Sequence, residues 1–122
     1  MTLPVFLLLA GLMGAAGVAL AAAAAHAAPG TGLESAAHML LFHAAAVVGG
    51  SALLERDLLA RWPLLIALGG WVLGTALFSG DISLRAFTGN RLFPMAAPTG
   101  GTLLIVAWVM LSIAAAGGLI RR

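Results

Sequence analysis

Three histidines, His26, His38 and His43, are the side chains in this sequence best suited to moving a proton or holding a metal. Imidazole titrates near neutrality and is the commonest protein ligand for transition metals. Four carboxylates could join them: Glu34, Glu55, Asp57 and Asp81. Glu34 and His38 are four residues apart and share a face if that segment is helical. His38 and His43 are five apart and diverge by roughly 140° around a helix, so they are poorly placed to ligate one metal together. There is no Cys, Lys or Tyr. Disulfides, thiolate metal sites, cysteine nucleophiles, a Schiff-base or phosphate-loop lysine and a tyrosine acid are therefore excluded. No hydrolase triad, phosphate-binding loop or zinc-protease motif is present. Nor are there two close acids deep in an apolar segment, as a secondary transporter would use.

The elements that must position these groups are four apolar stretches, Leu3–Ala25, Ala36–Leu54, Leu64–Phe78 and Gly101–Ile120. All the charged residues lie between or beyond them: Glu34, Glu55, Arg56, Asp57, Arg61, Asp81, Arg85, Arg91, Arg121 and Arg122. A hydrocarbon core of about 30 Å needs about 20 helical residues to cross it. With 62% hydrophobic and 8% charged residues, the chain suits lipid as its solvent, where the outside of a protein is as apolar as its interior. At 122 residues there is room for one domain. The net charge of +2 is small and scattered, which argues against a nucleic-acid partner. The first 30 residues share an apolar run and an Ala-x-Ala-like end with secretory signal peptides. However, Met1–Pro4 lacks a basic residue and the run is longer than a typical signal core, so the segment reads as a first transmembrane helix.

The sequence thus predicts an all-α membrane protein, a compact bundle of four transmembrane helices with short loops, over residues 1–122. The first helix runs from about Pro4, suited to a first turn, to Ala25, and Pro29-Gly30 punctuates the loop. Thr31 and Glu34 have the spacing of a capping box at the start of the second helix, which extends to about Leu54 with Ala45/Gly49 and Ala46/Gly50 as small-residue pairs. Glu55–Arg61 leaves the membrane, Trp62 anchors at the interface, and Pro63 opens the third helix. That helix reaches about Gly80, and Asp81–Phe87 is expected as an amphipathic turn or short helix with Asp81 and Arg85 paired. The fourth begins around Pro98-Thr-Gly-Gly101 and ends near Ile120. Gly11, Gly14 and Gly17 on the first helix are expected to pack against Gly70 and Gly74 on the third, with Gly100 and Gly101 admitting close approach at the start of the fourth. Arg56, Arg61, Arg121 and Arg122 on one side, against Arg85 and Arg91 on the other, place both termini in the cytoplasm of an inner-membrane protein.

His43 lies about seven residues into the second helix, roughly 10 Å along its axis, and an ionisable group at that depth faces the bundle interior. It is expected to point toward Ser79 or the Pro98–Gly101 helix start, where Ser79, Thr88 and Thr99 offer hydroxyls. His26, Glu34, His43, Ser79 and Thr99 together form the candidate polar site. The plain readings stand beside the functional ones. His43 would hydrogen-bond a neighbouring helix, His26 would close the C-terminal dipole of the first helix, and Glu34 would cap the second. Asp81, Arg85 and Arg91 would keep their loop at the water boundary rather than bind an anion or headgroup, and Trp71 and Trp108 would pack.

The helix-one end AAAAAHAA, the segment ESAAHMLLFHAAAVV, then LFSGDISLRAFTGNRLFP and APTGGTLLIVAWV together resemble a family of small bacterial inner-membrane proteins. This is the domain of unknown function 423 family, itself similar to the eukaryotic transmembrane protein 256 group. The resemblance covers nearly the whole chain and rests on His26, Glu34, His43, Ser79, Gly80, Thr88, Gly89, Pro98, Gly100 and Gly101. Ala36-Ala37-His38 departs from the Gln-Tyr-Gln-like run of many relatives. The resemblance implies a small multi-helix membrane protein and lends no catalytic residues. The expectation is a non-enzymatic structural or interaction protein without a cofactor or metal. Its partners would be the lipid bilayer and a second copy or other membrane proteins. The alternatives are a proton or small-solute channel or carrier using the histidines, and a histidine-ligated cofactor binder.

Overall fold

The computed structural model describes residues 2–122. It is all-helical: α1 (Thr2–His26), α2 (Leu33–Glu55), α3 (Arg61–Thr88) and α4 (Ala96–Ile120). Each helix is long and apolar enough to cross a bilayer. Pro4, Pro63 and Pro98 all sit in the first turn of a helix, where a missing N–H costs nothing. Met1, the start of the basic-poor segment read above, lies outside the described residues.

Two boundaries differ from the sequence reading. The capping box does not form. Gly32 takes the left-handed conformation, with φ of 85°, and stands between Thr31 and the helix as its N-cap, with no side-chain cap bond. The Thr31 hydroxyl donates instead to the Ala28 carbonyl at 2.6 Å. A glycine turn at that point carries Thr31 out of reach of the first helical N–H groups, and Glu34 is left exposed in the first turn. Asp81–Phe87, expected as an amphipathic turn or short helix after the third span, belongs to the unbroken end of α3. Asp81 lies buried one turn from its partner Arg85, 3.4 Å away, and its Oδ1 also accepts the Leu92 N–H at 2.9 Å. With its charge matched on both sides, Asp81 gives the helix no reason to stop. It stops at Gly89, which is left-handed and returns its N–H to the Arg85 carbonyl.

The helices pack in chain order. α1 lies on α2, α2 on α3 and α3 on α4; α1 only grazes α3, and α1 and α4 do not meet. The core runs along α2 and α3 through Val47, Leu54, Leu64, Ala67, Leu68 and Trp71, with Leu104, Ala107 and Ala114 of α4 and Ala10 and Met13 of α1 at its sides. The expected packing of Gly11, Gly14 and Gly17 on Gly70 and Gly74 does not occur. A Cβ at Gly17 would stand 2.8 Å from Leu41 Cγ on α2, one at Gly14 would meet Ala44, and Gly11 faces open space. Gly70 and Gly74 face α4: a Cβ on Gly70 would lie 2.8 Å from Ala107 Cβ, and one on Gly74 would lie 2.9 Å from the Gly100 carbonyl oxygen. Reciprocally, a Cβ on Gly100 would lie 2.6 Å from the Gly74 carbonyl, so α3 and α4 cross backbone to backbone there. Gly101 is looser, 3.9 Å from Phe78. At the other end, Ala60 donates to the Ala114 carbonyl at 3.0 Å, and Arg121 reaches Asp57 at 3.2 Å, tying the α2–α3 loop to the end of α4.

Candidate functional site

His43 is buried, 5% exposed, on the face of α2 turned toward α3 and α4. Both its ring nitrogens are used by the protein. Nδ1 lies 2.8 Å from the Met39 carbonyl one turn back, and Nε2 lies 3.2 Å from Nε1 of Trp108 on α4. A carbonyl and an indole N–H each have one role, so the geometry assigns the tautomer: Nδ1 carries the hydrogen and donates, and Nε2 accepts. The Trp108 ring lies between His43 and Trp71, with centroids 6.0 Å and 4.7 Å away respectively. α2 and α4 make no close backbone approach, so this aromatic bridge spans them across α3.

The His43 partner therefore differs from the one expected. Ser79 is buried, but its hydroxyl donates to the Ala36 carbonyl at 2.9 Å and so stitches α3 to α2. Thr99 is exposed in the first turn of α4. His26 is exposed in the last turn of α1, where the plain reading placed it. Glu34 and His38 are both exposed and line an open cavity of about 820 Å³ between the end of α1 and the start of α2, together with Thr31 and Ser35. Among the described residues no hydrogen bond joins any two of His26, Glu34, His43, Ser79 and Thr99. No group of three or more His, Cys, Asp or Glu is placed to hold a metal among the described residues.

The sequence reading missed Trp108 as a donor. The signal was there in part: an indole N–H within an apolar span needs an acceptor. It also missed the shielded hydroxyls of Thr75 and Ser83 and the Nε1 of Trp71, all on α3 and without a partner among the described residues.

The model of the family described as protein of unknown function (DUF423) matches residues 7–101, from the second turn of α1 into the second turn of α4. The chain belongs to the DUF423 family. A UPF0382 membrane protein of Haemophilus influenzae is 32% identical over 83 residues, which are 67% of this chain and 60% of that protein. The match thus spans less than two thirds of the relative's length. No solved structure matches. As a DUF423 member with four spanning helices, the chain is a multi-pass membrane protein of the lipid bilayer.

Proposed function

We propose that this DUF423 protein is a non-enzymatic inner-membrane protein with a structural or interaction role, holding both termini in the cytoplasm. The observation that supports this best is the saturation of His43. A histidine that relays protons pairs a ring nitrogen with water or a titratable group, and one that ligates a cofactor leaves a nitrogen for the bond. Here one nitrogen is spent on its own helix and the other on Trp108 of α4. Such a histidine serves as a cross-link between helices, the role polar side chains commonly fill in lipid. The outer faces of the row suit the same reading. Val5, Leu8 and Leu12 of α1 and Ile105, Val109 and Ile113 of α4 are exposed and apolar, available to lipid or to the helix of a partner.

The test is reconstitution into liposomes loaded with a pH-sensitive dye, with wild type, His43→Gln and His43→Leu compared. The expected result is no protein-dependent proton flux in any of the three and a loss of thermal stability for His43→Leu alone. A flux carried by wild type and abolished by both variants would replace this proposal with the proton-carrier reading.

A further inference from the structure

Along α3, Trp71, Thr75, Ser79 and Ser83 follow one another at intervals of four residues. They form one ridge of polar atoms in an apolar molecule, with side chains about 6 Å apart from turn to turn. Four other helical hydroxyls return to their own helix: Ser51, Thr88, Thr102 and Ser112 each donate to the carbonyl four residues back. Thr75 and Ser83 do not. Thr75 is wholly buried, and its Oγ1 has no partner among the described residues; Ser83 Oγ and Trp71 Nε1 are likewise shielded atoms without a partner there. Ser79 between them donates to α2 and keeps lone pairs free to accept. An orphaned polar atom inside a bilayer protein costs free energy that neither packing nor lipid returns.

Beside this ridge runs a groove of about 410 Å³ between α1 and α3, with apolar walls (Ala16, Leu20, Leu40 and Ala76 among them) and Thr75, Ser79 and Ser83 set behind its surface. It exists because α1 rests on α2 and only grazes α3. We propose that this groove is a water-binding seam. Water enters at the Ser83 end and bridges Ser83 to Ser79 and Ser79 to Thr75. The spacing suits it: two hydrogen bonds of about 2.8 Å each span neighbouring hydroxyls one turn apart. The groove has room for several waters, and the three hydroxyls give two of them a pair of partners each. The hydroxyl oxygens are shielded in the packed state, so water reaches them as α1 yields, and α1 is the helix with the fewest buried residues. Thr75 lies about 20 Å along the axis from the end of α3 at Thr88, so the seam carries water from one surface to near the bilayer centre. It ends there against Trp71 and the dry layer of Leu64, Ala67 and Leu68. This inference is independent of the structural role proposed above.

The chain has no cysteine, so single thiols can be placed without background. Thr75→Cys, Ser83→Cys and, as a lipid-facing control on the same helix, Leu73→Cys are reacted in proteoliposomes with a small hydrophilic methanethiosulfonate reagent. Leu73 is 55% exposed on the packed helix. Only a hydrated thiol ionises and reacts, so Thr75→Cys should react at least about tenfold faster than Leu73→Cys, and more slowly than Ser83→Cys. Thr75→Cys reacting no faster than the control overturns the seam. A second variant guards against local misfolding. Thr75→Val keeps the shape and removes the hydroxyl. In a bridged seam it lowers the melting temperature in detergent by breaking the file. An equal or higher melting temperature, the result for a dry orphan hydroxyl, overturns the proposal equally.

Discussion

At the residue scale, His43 separates what a side chain's depth reveals from what it conceals. An imidazole about seven residues into an apolar helix had to find partners inside the protein, and that much follows from the cost of an unpaired polar group in lipid. The partner itself was out of sight, because Trp108 lies 65 positions away on a helix that does not touch α2 through its backbone. The hydroxyl expected to serve, that of Ser79, is already committed to Ala36. Two predictions belong here. His43→Gln keeps a donor and an acceptor and should melt close to wild type, while His43→Leu orphans Trp108 Nε1 and should lose about 1 kcal/mol. Trp108→Phe removes the donor, and the cycle combining it with His43→Leu should show coupling of about 0.5–1 kcal/mol in detergent unfolding. Additive losses would mean the 3.2 Å contact contributes nothing.

At the element scale, glycine spacing showed that faces pack but not which helix each face meets. Gly11, Gly14 and Gly17 recur every three residues, yet only Gly17 is in tight contact, and with Leu41 of α2. A period of three drifts around a helix with 3.6 residues per turn, so the three glycines cannot share one neighbour. Gly70 and Gly74, four apart, do hold one face, and it belongs to α4. α3 packs on its chain neighbours α2 and α4, and α1 only grazes it. The loop behind α3 was harder to read, because a charged Asp81 looks like a helix end until Arg85 and the Leu92 N–H are seen to satisfy it. The element-scale prediction contrasts two glycines. Gly100→Leu drives a side chain into the backbone of α3 and should cost about 1–3 kcal/mol or more in detergent unfolding, whereas Gly11→Leu, which faces open space, should be nearly neutral. Equal losses at the two positions would show that the backbone crossing is not where α3 and α4 hold together.

At the scale of the whole molecule, the four spans and the helical class were legible because length and apolarity are set by the bilayer itself. The arrangement as a row, with α1 and α4 apart, was not, since lipid accepts an open surface that water would close. The proposed orientation rests on charge and on the ties between loops. An even number of spans puts both termini on the side of the α2–α3 loop, and the bonds from Ala60 to Ala114 and from Arg121 to Asp57 join these segments at one end of the molecule. That end carries Arg56, Arg61, Arg121 and Arg122, against Arg85 and Arg91 at the other. The side richer in arginine is retained in the cytoplasm during insertion, and the acids beside them count for little. Gly30, in the α1–α2 loop at the opposite end, should therefore face outward. With no native cysteine to interfere, Thr2→Cys and Gly30→Cys can be treated in intact cells with a membrane-impermeant thiol reagent. Gly30→Cys should label and Thr2→Cys should label only after the membrane is permeabilised. The reverse pattern would invert the molecule and place the Ser83 mouth of the seam in the cytoplasm.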